Sequence, residues 1–159
     1  MTFSGAPHQL AQVNMARLKF PLDSVELKDF VDWLDPVNAE ADAADGFVWR
    51  LADDGDGNAT AIRPFDDPWL LVNLSVWRDP HALTAYMYQG QHREALARRF
   101  DWFERVQEHM TTMWWVPAGH RPTVEEAQER LVLLRAEGPT PQAFTLRTSF
   151  PPPEADPTD

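Results

Sequence analysis

Residues 69–77 read WLLVNLSVW. Successive side chains of a β-strand point to opposite faces, so this stretch sorts itself into two sets. Leu70, Val72, Leu74 and Val76 form one set, all aliphatic; Trp69, Leu71, Asn73, Ser75 and Trp77 form the other. Neither set suits a face open to water, so both faces of this strand are expected to be covered. The aliphatic set is expected to pack against the helices of the domain. The second set mixes indoles with an amide and a hydroxyl, and is expected to lie against a second copy of the chain or a bound small molecule.

The same two-faced pattern extends outward. Residues 8–18, HQLAQVNMARL, alternate with period two, with Ala11, Val13 and Met15 on one side and Gln12 and Asn14 on the other. Asp23 and Glu26 have capping-box spacing ahead of a helical face made by Leu27, Phe30, Val31 and Leu34. Asp35-Pro36 is expected to stop that helix and cap a second one that runs to Gly46. Residues 47–52, FVWRLA, read as a second strand that carries Trp49 and Arg50, and residues 53–68 as a polar loop. Asp79-Pro80 opens a helix to about residue 106 with a break near Gly90. Residues 109–117 form a fourth strand that carries Trp114 and Trp115 on opposite faces. Thr123 and Glu126 cap a helix that ends at Gly138-Pro139, and residues 143–150 read as a short fifth strand. The order is β-α-β-β-α-β followed by α-β. The class is therefore α+β with a ferredoxin-like antiparallel sheet in a single domain over residues 1–150, and residues 151–159 form a disordered proline-rich tail.

Composition narrows the function. The chain has 159 residues, 43% of them hydrophobic, and a formal net charge of −11. An acidic chain is a poor match for nucleic acid or for an anionic membrane surface. There are no cysteines, which excludes disulfides and thiolate metal sites and fits a cytoplasmic setting. Residues 54–65 resemble a calcium loop only in part: Ala59 stands where glycine is required and Phe65 where a bidentate glutamate is required. No metal-ligand spacing and no phosphate-binding glycine loop is present, so neither a metal nor another cofactor is expected.

Several strings, among them HQLAQVNMARL, LDPVNAEA, IRPFDDPWLLVNLSVW and WWVPAGHRPTVEEA, resemble the domain-of-unknown-function 3291 family from residue 8 to about 150. The resemblance implies membership of the dimeric α+β barrel superfamily, which includes antibiotic-biosynthesis monooxygenases, haem-degrading enzymes, isomerases and binding proteins. It further implies a homodimer, with the indole-and-amide face as barrel interior. Haem-degrading relatives carry an asparagine on the first strand, matched here by Asn14. Their tryptophan and histidine on the second helix fall near Tyr86 and Leu96, so the haem pattern is not met.

The candidate site follows. His92 is a candidate general base, because imidazole titrates near neutral pH, and helical spacing puts it one turn from Tyr88 and Leu96. Asn14 and Asn73 are candidate donors to a developing enolate or phenolate oxygen. Trp49 and Trp77 are candidate walls for an aromatic substrate, with Gln12, Tyr86 and Trp115 as further contacts. Arg50 and Arg63 can pair with Asp66 or Asp67, or hold a substrate carboxylate. Arg93, Arg98, Arg99 and Arg105 form a basic stretch expected to pair with the chain's many acids. Two functions fit these residues: a cofactor-independent enzyme of secondary metabolism working through an enolate or phenolate, and a non-catalytic small-molecule binding protein.

Overall fold

The computed structural model describes residues 7–52 and 59–153. Four strands, β1 (His8–Arg17), β2 (Phe47–Arg50), β3 (Leu70–Trp77) and β4 (Thr111–Pro117), form one antiparallel-paired sheet in the order β2-β3-β1-β4. This is the ferredoxin-like order expected from the sequence. Register sets Asn14 opposite Asn73 and Gln12 opposite Ser75 on β1 and β3, so the polar residues of the two central strands form one cross-strand patch.

Helices α1 (Lys28–Ala43), α2 (Pro80–Met87), α3 (Gly90–Ala97) and α4 (Arg99–Trp102) cover one face, and α5 (Val124–Glu137) lies on the other. The faces are exchanged relative to expectation. The aliphatic residues Val72, Leu74 and Val76 pack with Trp114, Ala127 and Leu131, beneath α5. The face bearing Leu71, Asn73, Ser75 and Trp77 lies under the chain's own helices: Trp77 packs with Ala82 and Leu83 of α2, and Leu71 with Leu27 and Trp102. The indole-and-amide face is thus covered by the chain's own helices, where a second copy of the chain was expected. Helices accept it because they bring aromatic rings of their own. Trp77 stacks on Tyr86 at 5.0 Å between ring centres and meets Phe47 edge-on at 5.4 Å.

Local signals acted as chain chemistry dictates in most places. Asp79 accepts a hydrogen bond from the Ala82 amide with Pro80 in the first turn of α2, and Thr123 accepts one from the Glu126 amide at the start of α5. Gly46 ends the crossover from α1 with φ +83°, and a Cβ there would sit 2.5 Å from that of Ala82. Gly90 separates α2 from α3 with φ +55°.

Three expectations differ. Pro36 lies inside α1, which continues through it and forgoes one backbone hydrogen bond. Phe30, Trp33, Leu34 and Val37 form a single half-buried 3.6-period face across the proline, with Phe30 and Trp33 packed against Leu27 and Trp102. Asp23 opens no long helix: a single 3-10 turn, Val25–Leu27, precedes α1. The expected fifth strand reduces to isolated bridges, Met113 to Phe144 and Thr140 to Ala143, because the chain there meets the edge of β4 at one point. Most of the polar loop of residues 53–68 is described only from residue 59 on, and the calcium-like segment and the end of the tail fall partly outside the described residues. No helix among the described residues is long and apolar enough to cross a membrane.

Candidate functional site

Between the sheet and the helices α1, α3 and α4 lies an open cavity of about 470 Å³ that extends around the end of the sheet to Leu51 and Met110. Its floor is the middle of β1 and β3. Asn14 and Asn73, paired across the two strands, are exposed there, whereas their neighbours Val13, Met15, Val72 and Leu74 are buried. Exposed amides in the centre of two central strands are explained by the cavity above them.

Hydrogen bonds along the floor hold the oxygen atoms of these amides. Asn14 Oδ1 accepts from Thr111 Oγ1 at 2.9 Å. Asn73 Oδ1 accepts from Gln12 Nε2 at 2.7 Å, and Gln12 Nε2 also reaches Ser75 Oγ at 2.7 Å. The indole N–H of Trp77 donates to the same Ser75 oxygen at 2.9 Å. With both carbonyl oxygens occupied by neighbours on the same face of the sheet, the Nδ2 groups of Asn14 and Asn73 have no acceptor among the described residues. The floor therefore presents two neighbouring N–H donors to whatever fills the cavity.

The wall above is aromatic. Phe30, Trp33 and Trp102 line the cavity, with Trp102 meeting Trp33 edge-on at 5.7 Å and Phe30 at 5.4 Å. Tyr86 and His92 complete it, their rings 4.7 Å apart. The break at Gly90 explains why His92 contacts Tyr86 and not Tyr88: α2 and α3 are separate helices, so spacing along one continuous helix does not apply. Tyr86 donates its hydroxyl to the Val37 carbonyl at 3.1 Å, and burial pushes its phenol pKa well up, so it stays a neutral donor.

His92 Nδ1 lies 3.1 Å from the Met87 carbonyl oxygen. A carbonyl only accepts, so Nδ1 carries the proton and Nε2 is left as the bare, basic nitrogen. Burial pushes the imidazole below its usual 6.5, opposed in part by the Met87 bond and the Glu40 carboxylate. Glu40 itself accepts from the Gln91 amide at 3.2 Å at the start of α3. A histidine whose folded pKa is depressed takes its proton more readily in the unfolded chain. Its contribution to stability is complete above about 6.5 and is lost as pH falls from there through the folded value. His92→Gln should remove that dependence. Melting temperature followed from about pH 7 to about pH 5 should drop more steeply for the parent than for the variant; parallel curves would show His92 to be solvated and unperturbed.

The structure gathers Asn14, Asn73, Arg50, Tyr86 and His92 on one cavity. It places the other candidates elsewhere. Trp49 lies on the opposite face of the sheet, against the aliphatic cluster. Trp77 is fully buried beneath Tyr86, Gln12 is buried behind Asn73, and Trp115 packs near Phe144 with its indole N–H on the Phe150 carbonyl. Arg50 pairs with Asp42 of α1 at 2.8 Å, and Asp67 pairs with Arg17 at 3.2 Å, while Arg63 reaches the main-chain carbonyls of Thr60 and Pro68. The indoles that do line the cavity, Trp33 and Trp102, come from helices. The signal for Trp33 is the spacing Phe30-Trp33-Leu34-Val37, which Pro36 interrupts in the sequence, and that for Trp102 is the spacing Ala95-Leu96-Arg99-Trp102, which spans two short helices.

A four-stranded antiparallel sheet of this order, with an aromatic-walled cavity between sheet and helices, defines an α+β fold of ferredoxin-like type. The chain belongs to the Domain of unknown function (DUF3291) family, whose sequence pattern matches residues 9–159. Among curated proteins, none matches it by sequence. Among solved structures, it is similar to a conserved protein from Methanosarcina mazei Go1, at 13% identity and a TM-score of 0.50 over 70% of this chain and 93% of that one. It is similar also to SnoaB, a cofactor-independent oxygenase from Streptomyces nogalater, at 16% identity and a TM-score of 0.43 over 72% of this chain and 95% of the other.

Proposed function

We propose that the cavity binds an aromatic small molecule bearing an oxygen atom and that the protein acts on it as an enzyme without a metal or nucleotide cofactor. The observation that carries this is the pair of cavity-lining amides of Asn14 and Asn73, whose N–H groups have no acceptor among the described residues, set in the same cavity as a neutral histidine. His92 Nε2 takes an acidic proton from the substrate. The negative charge moves onto the substrate oxygen as an enolate or phenolate, which the two amides stabilise by hydrogen bonds that strengthen as the charge develops. Trp33, Trp102 and Phe30 hold the ring system. Oxygenation, isomerisation, cyclisation and dehydration all start from such an anion, and a role in secondary metabolism fits that chemistry.

Proton exchange in D2O with an enolisable aromatic ketone, β-tetralone, tests the first step without knowledge of the natural product. The protein should speed loss of the α-proton signal by NMR, and His92→Gln should abolish that acceleration. Binding that quenches tryptophan fluorescence with no acceleration of exchange would instead establish the binding-protein reading. That reading draws on the exposure of both amides, since water that reaches the floor competes for the same donors.

We also propose a homodimer formed through the face opposite the cavity, where Trp49 and Ile62 are only partly buried. Light scattering should give twice the mass of one chain at micromolar concentration; a monomer would exclude it.

A further inference from the structure

The cavity is cationic in an acidic protein. The chain has 14 basic against 25 acidic residues, yet Arg17, Arg50, Arg99 and Arg105 all line the cavity, and Glu104 is the sole carboxylate among the described lining residues. Two of these guanidiniums are neutralised, Arg17 by Asp67 and Arg50 by Asp42. The other two are not. Arg98, their neighbour outside the cavity, pairs with both Asp29 and Asp101, as the basic stretch was expected to do. Arg99 and Arg105 pair with no carboxylate among the described residues. Arg99 gives one N–H to the Leu96 carbonyl at 2.6 Å, and its guanidinium carbon lies 4.6 Å from the centre of the Phe100 ring. That of Arg105 lies 3.8 Å from the same ring. Two unneutralised guanidiniums thus lie against the one Phe100 ring at the cavity.

We infer that the ligand carries a carboxylate, and that Arg99 and Arg105 bind it at the cavity mouth while the aromatic body lies over Asn14 and Asn73; this rests on the proposed pocket and names its substrate class. Planar guanidinium forks suit a carboxylate, which accepts several charge-assisted hydrogen bonds. Their placement also counters the negative field of the whole chain, which would otherwise repel an anion on approach. With the carboxylate anchored at one end and the reacting oxygen over the amides at the other, the ligand is oriented along the cavity.

Calorimetric titration with naphthoate and with neutral naphthamide separates charge from shape. Naphthoate should bind about 10–100-fold more tightly, the scale of a charge-assisted hydrogen bond or two. The double variant Arg99→Gln/Arg105→Gln should erase that preference and leave naphthamide binding unchanged. Arg98→Gln, which removes a charge paired elsewhere, should leave the preference intact. Added salt should shrink it in the parent and not in the double variant. Equal affinities for the two compounds, or a preference that survives the double variant, would overturn the carboxylate assignment while the pocket stands. Failure of both compounds to bind at millimolar concentration would overturn the assignment and the pocket together.

Discussion

An Asn73→Ala variant is expected to melt where the parent does and to accelerate exchange of the β-tetralone α-proton about 10²–10³-fold less, the loss that follows removal of one donor to a developing oxyanion. The two halves of this expectation have separate causes. Stability is spared because the Asn73 side chain is exposed and its one protein partner, Gln12 Nε2, keeps Ser75 Oγ at 2.7 Å; substitutions at such positions usually stay within about 0.5 kcal/mol. Turnover suffers because the Nδ2 group faces the cavity, and charge that develops on a ligand oxygen over the central strands would lose one of two donors. Asn14→Ala should behave alike, since its Oδ1 holds only the Thr111 hydroxyl. If both variants exchange the proton as fast as the parent, the amides stabilise no anion and the enzyme proposal fails, whatever the ligand affinity.

Val72→Asp, one residue away, is expected to prevent folding. Val72 is 6% exposed and packs with Trp114 and Leu131 in the cluster beneath α5. A carboxylate there has no partner and would cost several kcal/mol, a large part of the roughly 5–15 kcal/mol that holds a domain together. Circular dichroism and a thermal melt should show no cooperative transition, beside an Asn73→Ala protein with the parent's curve. A Val72→Asp variant with near-parental stability would mean that this face opens to water, and would remove the cluster under α5 from the core. The contrast between neighbours holds although the faces are exchanged from the sequence-based assignment, because both faces are covered and only the cavity floor is open.

Much of this was legible from residue order. The alternation in residues 69–77 and 8–18 sorted side chains into two sets correctly, and it marked Asn14 and Asn73 as companions before pairing placed them opposite each other. Capping chemistry at Asp79-Pro80 and Thr123, and the break at Gly90, are local devices set by one or two residues, so they read true. Proline at position 36 misled because its cost is local, about one hydrogen bond and a ring clash, while the packing of Phe30 and Trp33 against Leu27 and Trp102 that offsets it is not.

The sequence by itself determined the element order, the antiparallel sheet of ferredoxin type and the two chemically distinct sides of its central strands. Only the tertiary structure decided which side received the helices. In a strand of L-residues, the side to which a side chain points is tied to which neighbour its N–H and C=O address, so the answer lies in the pairing of β1 with β3 and β4 and not in either strand alone. From that one decision follow the enclosure of Trp77 beneath Tyr86, the placement of Trp49 on the far face, and the meeting of His92, Trp33 and Trp102 over the two asparagines. Residues far apart along the chain share a cavity because packing, which sums contacts over all elements at once, sets where helices come to rest.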